Sequence, residues 1–293
     1  MPSPYGRGSR LARGCVAVVS AAARPAPALV PQQPVLSVVH ARSPMTFNPM
    51  KHRIPVLKRL VPSLRKRVSR AVSLNGFTLR ASTGAVFLLN SENFVDRQIA
   101  FYDDFEARQT HYLFDQMQRH GCDLFIDVGA NIGFYCIQVA LRGLSAEVLA
   151  FEPDERNRLQ LGANILINRV IGKIMVCDQA VSSSSGTVAF SPASDTSTGQ
   201  SQVDESGRGS AVSCVCLDDI VTDSGRRVFI KMDIEGHELS AIHGMKVCAA
   251  RNKVFLQVES FAPRIEQVTT ELSRMGLAQI VRIDDDHYFS NFR

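Results

Sequence analysis

The 293-residue sequence has no tryptophan, and its first acidic residue is Glu92. No apolar run approaches the roughly 20 residues that cross a bilayer as a helix, so no membrane-spanning segment is expected. No CxxC occurs; the closest cysteines are Cys214 and Cys216, and the total of seven is odd. That excludes a disulfide scaffold or a cysteine zinc site as the organising principle. The other cysteines, Cys15, Cys122, Cys136, Cys177 and Cys248, are scattered, and several lie in apolar runs where a thiol packs as a small hydrophobe. The seven histidines show no metal-ligand spacing, so no metal is expected. Reduced thiols point to a cytoplasmic protein.

The acidic residues are missing from one end only. Residues 1–91 hold 14 Lys or Arg and no acid; residues 92–293 hold 19 basic and 28 acidic residues, a balance of −9 inside a chain of +5. A basic leader joined to an acidic globular body follows. Residues 1–49, with "ARPAPALVPQQP", are too rich in proline and small residues for regular structure and are expected to be disordered. Basic "RGSRLARG" before "CVAVVSAAA" loosely matches an export signal, but its core is short and lacks Leu, Ile and Phe. An upstream extension of the reading frame, with Met45 or Met50 as start, is the plainer account. Residues 50–75 read as a basic linker or helix. Within them "KHRIPVLKRLVPSLRKRVSRAV", residues 51–72, could touch an acidic membrane surface, although Pro55 and Pro62 interrupt its amphipathic pattern.

From residue 76 to 293 the pattern is that of a folded domain. "FTLRAS" and "AVFLLN" flank Thr83-Gly84 as a hairpin, and residues 96–120 read as one or two amphipathic helices. "LFIDV" then opens an alternation. Strands are expected at "EVLAFEP", "GKIMVCD", "RVFIKMD" and "KVFLQVE", and helices at 133–142, 153–168, 235–249 and 265–275. "GTVAF" and "AVSCVCL" are further strands around a polar loop, 191–210, and "LAQIVRI" and "HYFSNF" form a closing pair across 284–286. Strongly apolar strands alternating with helices imply an α/β doubly wound, mostly parallel sheet covered on both faces, with an antiparallel closing hairpin.

In such a sheet ligands sit at the carboxyl ends of the strands. Five expected strands end there in a carboxylate: Asp127, Glu152, Asp178, Asp233 and Glu259. In "FIDVGANIGFYC" the turn after the first strand carries Gly129 and Gly133, where backbone could approach a ligand and present helix N-terminal N–H groups. Glu152 lies 23 residues beyond Gly129, where a carboxylate can accept two hydrogen bonds from a ribose diol. The dinucleotide fingerprint is incomplete, because Asn131 occupies its middle glycine position. A smaller adenosine ligand without a pyrophosphate fits better than a nicotinamide cofactor.

"FIDVGANIGFYC", "AFEP", "LDDI" and "IKMDIEGHELSAIHGM", in that order across residues 95–290, resemble the FkbM family of S-adenosylmethionine-dependent methyltransferases. The resemblance implies a class I, Rossmann-like methyltransferase fold and methyl transfer to a hydroxyl of a sugar, glycan or natural product. It implies that Asp127, Gly129, Asn131 and Gly133 flank the methionine and ribose of S-adenosylmethionine, that Glu152 takes the ribose hydroxyls, and that Asp178 or Gln179 reads the adenine edge. Within "KMDIEGHE", Asp233, Glu235 and His237 are the candidate catalytic residues, since a general base must take the hydroxyl proton and imidazole titrates in the right range. Lys231 is expected to pair with a rim carboxylate. Two alternatives stand beside this: N-methylation of a small amine, and an adenosine-binding protein without turnover. Nucleic acid is not the expected partner, because the body is acidic and the Asn/Asp-Pro-Pro-aromatic grip on a flipped base is missing. The oligomeric state is not legible.

Overall fold

The computed structural model describes residues 76–102, 105–194, 196–204 and 206–292. The expected leader at 1–49 and the linker or helix at 50–75, with its membrane-contact stretch, lie outside the described residues.

Strands β1 (Phe77–Ser82) and β2 (Ala85–Asn90) form the expected antiparallel hairpin. Helices α1 (Phe94–Phe101) and α2 (Ala107–His120) follow. Their separation comes from Glu106, the residue before α2, whose φ of 45° lies in the left-handed region and interrupts any continuous helix.

The alternating series then begins: β3 (Leu124–Val128), α3 (Phe134–Arg142), β4 (Glu147–Phe151), α4 (Glu155–Ile167) and β5 (Met175–Cys177). β6 (Ala180–Val181), β7 (Gly186–Ser191), β8 (Gln202–Val203) and β9 (Ser210–Val215) leave the main sheet and build a four-stranded sheet in the order β6-β9-β7-β8. The chain returns through a short helix, α5 (Leu217–Ile220), to β10 (Arg227–Met232), α6 (Glu238–His243), α7 (Lys246–Arg251), β11 (Lys253–Glu259), α8 (Arg264–Arg274), β12 (Ala278–Ile283) and β13 (Asp286–Ser290).

The seven-stranded sheet runs β12-β13-β11-β10-β3-β4-β5. β11, β10, β3, β4 and β5 are mutually parallel, and β13 is antiparallel to both β11 and β12. This is the doubly wound class I sheet that the resemblance implied. Each central strand is apolar on both sides because both faces are covered: in β3, Phe125 belongs to one buried cluster and Ile126 to the other. The chain moves from β3 outward through β4 to β5, then restarts at β10 on the other side of β3. That reversal is the switch point where a crevice opens beyond the strand ends.

Three boundaries differ from the expectations. The expected helix at 153–168 starts at Glu155, with Asp154 as its cap, accepting from Arg156 N at 2.9 Å. The expected strand at 172–178 is reduced to Met175–Cys177. The expected helix at 235–249 is two helices. Glu235 and Gly236, at φ 50° and 105°, are left-handed and postpone its start. At the break, Gly244 O accepts from Asp218 N, and Asp218 Oδ1 accepts from Cys248 N at 2.7 Å, capping α7 from outside the helix.

The hairpin is fastened to the sheet domain by amides. Asn164 Oδ1 accepts from Leu88 N at 2.7 Å and Asn168 Oδ1 from Val86 N at 2.8 Å, while Gln160 Nε2 donates to Leu88 O at 2.8 Å. The outer edge of β2 is thereby satisfied by side chains of α4 and its cap.

Candidate functional site

A crevice of about 1180 Å³ of non-atom space, part of it open to solvent, lies over the carboxyl ends of β3, β4, β10 and β11. It is lined by Asp127, Gly129, Asn131, Glu152, Gln179, Asp233, Glu235, His237 and Glu259, among others. The strand-end rule therefore gathers most of the sequence candidates into one place. Two are left out. Asp178 is exposed and outside the lining, while its neighbour Gln179 faces the cavity, because the parallel pairing of β5 to β4 ends at Cys177. Gly133 also lies outside it.

The glycines are also required by contacts inside the protein. Gly129 has φ 81°, and a Cβ there would sit 1.9 Å from Asp233 O. Its position is demanded by contact between the β3 and β10 loops. Gly133, at φ 91°, would bring a Cβ to 2.4 Å from Leu161 Cδ1, so it lets α3 pack on α4. In this turn, the strap between β3 and α3, three N–H groups are occupied inside the protein: Gly129 N and Ala130 N donate to Phe151 O, and Gly133 N to Ala130 O.

Glu152 closes β4 and is 5% exposed. Its Oε2 accepts from Asn131 N at 2.7 Å and its Oε1 from Asp154 N at 2.9 Å. Burial pushes its carboxyl up to about 7, against the pull of those two bonds. Asp127, 1% exposed, accepts from Cys136 N at 3.0 Å; burial raises it to about 6 while Lys231 opposes the shift. Beside Glu152, Asn131 Oδ1 is buried with no hydrogen-bond partner among the described residues.

Lys231 is the amine of the cavity. Its Nζ donates to Asp233 Oδ2 at 2.9 Å and lies 5.2 Å from the Tyr135 ring centroid. Burial alone would lower its pKa, but Asp233, Glu106, Asp127 and Glu259 together hold it well above the usual range. Glu259 is raised to about 9 by burial and then by Asp233. Glu235, exposed at the mouth, is raised to about 7 by desolvation, Asp233 and Glu238. His237 is buried, and its Nε2 shares a hydrogen bond with Ser182 Oγ at 2.9 Å.

Sequence reasoning missed Glu106, which burial raises to about 7 and which hydrogen-bonds Tyr135. It sits inside a run read as helix, with no motif to mark it. It also missed Asn157 and Thr198 as lining residues. The polar loop after β7 covers the cavity through Thr198, Gly199, Ser201 and Gln202, and it is tied down by Asn93 Nδ2 on Thr198 Oγ1 and Ser201 Oγ on Asp154 Oδ2 at 2.8 Å. Among the described residues no group of three His, Cys, Asp or Glu is placed to hold a metal ion, and no helix is long and apolar enough to cross a membrane.

Residues 127–279 match the sequence pattern of the methyltransferase FkbM domain. The hexuronic acid methyltransferase AglP of Haloferax volcanii is 31% identical over 174 residues, which span 57% of this chain and 69% of AglP. Among solved structures, methyltransferase FkbM from Methylobacillus flagellatus KT aligns with a TM-score of 0.43 and 19% identity, over 67% of this chain and 54% of that one. The alignment thus spans about half of that chain's length. The SAM-dependent methyltransferase from Agrobacterium tumefaciens aligns with a TM-score of 0.45 and 8% identity, over 74% of this chain and 70% of that one.

Proposed function

The chain belongs to the FkbM family of methyltransferases and uses S-adenosylmethionine, and we propose that it methylates a hydroxyl of a sugar or glycan. One observation carries this reading: Glu152 and the Asp233–Glu235–His237 group line the same cavity, so a bound donor and an acceptor hydroxyl can meet. The sugar half is supported by AglP, whose name gives a hexuronic acid as its substrate.

The residues fit the cofactor by their donor and acceptor chemistry. Glu152 retains free lone pairs beyond its two backbone bonds and would accept the ribose hydroxyls. The orphaned Asn131 Oδ1 would accept a further ligand donor. Gln179, on the cavity side of β5, is preferred over Asp178 for the adenine edge. When bound, S-adenosylmethionine supplies an electrophilic methyl group on a cationic sulfonium.

The chain's own part is positioning, exclusion of water and removal of one proton. Asp127 and Asp233 place negative charge near β3 and β10, where a sulfonium is favoured. His237, oriented by Ser182, is the proposed base, with Asp233 and Glu235 as the other titratable groups in reach of the cavity. The test is incubation of the full chain with labelled S-adenosylmethionine and a panel of glycosides, glycans and small amines, read by mass spectrometry. Label appearing on an oxygen of a sugar is the expected result. Label on an amine, or cofactor binding with no transfer to any acceptor, refutes it.

A further inference from the structure

The cavity is strongly unbalanced in charge. Six of its lining residues are carboxylic, Glu106, Asp127, Glu152, Asp233, Glu235 and Glu259, and its amine is Lys231 alone among the described lining residues. Lys231 has no freedom to meet an anion. Its side chain is 6% exposed, and its Nζ is bonded to Asp233 Oδ2 at 2.9 Å, with Glu106, Asp127 and Glu259 as further charged neighbours. The nearby arginines lie outside the lining. Arg156 is paired with Asp154 at 2.7 Å, and Arg264 is exposed beside Gly236 on α8.

Three of the six carboxylic groups already have assignments: Glu152 on the strap, Asp127 on Cys136 N, Asp233 on Lys231. Three remain in the lining: Glu106, Glu235 and Glu259. Among the described residues no group donates a hydrogen bond to the side chains of Glu235 or Glu259, and Glu106 interacts with Tyr135. Carboxylic oxygens of this kind suit the hydroxyls of a polyol, which donate. They do not suit a carboxylate: Glu106 and Glu235, raised to about 7, carry like charge at and above neutral pH, whereas Glu259, raised to about 9, stays protonated there and serves as an acceptor through its carbonyl oxygen. They also hold an amine protonated, without the lone pair that methyl transfer requires.

Resting on the reading of a sugar acceptor, we infer that the acceptor is a neutral sugar held by hydroxyls donated to Glu106, Glu235 and Glu259, and that Glu106 and Glu235 reject hexuronates. The chain would then differ in acceptor charge from the relative named for hexuronic acid.

The probes are matched pairs: methyl glucoside with methyl glucuronide, and methyl galactoside with methyl galacturonide. Binding to the full chain saturated with S-adenosylhomocysteine is measured by ligand-observed NMR, and transfer is measured from labelled S-adenosylmethionine. The neutral member of each pair should bind and turn over at least about tenfold better, the margin that one like-charge contact in a half-buried site readily exceeds. At pH 8, Glu235→Gln and Glu106→Gln should each narrow the ratio by at least about threefold. The ratio is taken within one variant, so it does not depend on how much of that variant folds. A uronide that matches or beats its neutral partner overturns the inference and leaves the sugar reading standing. Failure of all four probes to bind or react, with S-adenosylhomocysteine still bound, overturns the sugar reading and this inference with it.

Discussion

Replacement of Glu152 separates two roles that one carboxylate performs. Its oxygens accept from Asn131 N at 2.7 Å and Asp154 N at 2.9 Å, so it joins the turn after β3 to the start of α4. A hydrogen bond to a charged group is worth about 1.5–3 kcal/mol. Loss of both in Glu152→Ala therefore removes about 3–6 kcal/mol. An opposing term exists: burial raises the carboxyl from 4.5 to about 7. At neutral pH and above, its removal relieves up to about 3 kcal/mol of charge burial. The net loss for Glu152→Ala is on the order of 0–3 kcal/mol, or up to about 10 °C at 2–4 °C per kcal/mol. Glu152→Gln keeps the shape and one acceptor oxygen and relieves the same charge, so its melting temperature should stay within a few degrees of wild type. Cofactor affinity should behave differently. Ribose hydroxyls would lose a charged acceptor in both variants, and a tenfold or greater rise in Kd is expected from about 1.5–3 kcal/mol. Differential scanning fluorimetry paired with calorimetry of S-adenosylhomocysteine binding reads the two quantities. Wild-type affinity in a folded Glu152→Gln protein would show that the carboxylate only braces the strap, and the ribose assignment would be wrong.

Gly129→Ala should be far more damaging than Gly143→Ala. Both have positive φ, 81° and 62°, but only the first brings a Cβ to 1.9 Å from a backbone oxygen, while the second has nothing within 4 Å. Left-handed strain alone costs about 1–2 kcal/mol, so equal urea midpoints for the two variants would contradict the loop-contact account of Gly129. His237→Ala should keep cofactor affinity and lower turnover by roughly 10²–10⁴, measured on the acceptor found by the panel; unchanged turnover would make the histidine structural. Without cofactor, thermal stability should peak near pH 4 and decline towards pH 9. Asp127 at about 6, Glu106 and Glu152 at about 7 and Glu259 at about 9 all have folded values above their ordinary ones. Each contributes stability that is complete below its ordinary value and lost as pH rises through the folded one. Asp123, held at about 2 by Arg227, works in the opposite sense, and its contribution is lost as pH falls from 3.8 towards 2. Calorimetric scans should show Glu259→Gln flattening the alkaline arm, and a flat profile from pH 5 to 9 in wild type would sink this linkage.

The sheet was legible because its strands are short apolar runs bounded by glycine, proline and acidic residues, and because helical spacing returns after each one. The rim was legible for a related reason: in a doubly wound sheet, a polar residue that ends an apolar strand has only the crevice side to face. Asp127, Glu152, Asp233 and Glu259 could thus be grouped before any coordinates, and all four line the cavity. Asp178 shows the limit. A strand of three residues leaves its end uncertain by one position, and one position exchanges an exposed Asp178 for a lining Gln179. Glu106 shows another. Its φ of 45° breaks a run whose spacing is helical throughout, and the cause is tertiary, since its side chain is drawn to Tyr135 on α3. The hairpin's attachment was hidden for the same reason: Asn164 and Asn168 read as ordinary helix residues, and their partners, Leu88 and Val86, lie 76 and 82 residues away.

Gly129 is the most instructive case, because it lines the cavity and also answers to a neighbour that its spacing does not name. A glycine after a strand announces that something comes close. Whether that something is a ligand or another loop depends on which strand lies alongside, here β10, and on the register that brings Asp233 O against it. Sequence spacing carries the demand for space, while only the sheet order identifies the neighbour that makes it. The same logic bears on cofactor binding. Gly129 N, Ala130 N and Gly133 N are held by Phe151 O and Ala130 O, and Asn131 N by Glu152, so the side chains of Glu152 and Asn131 are proposed to provide recognition near β4 that those donors cannot. A ligand whose affinity rests on those side chains should be sensitive to Glu152→Gln and Asn131→Ala together, and nearly additive effects would be the exception, because Asn131 N is itself a donor to Glu152.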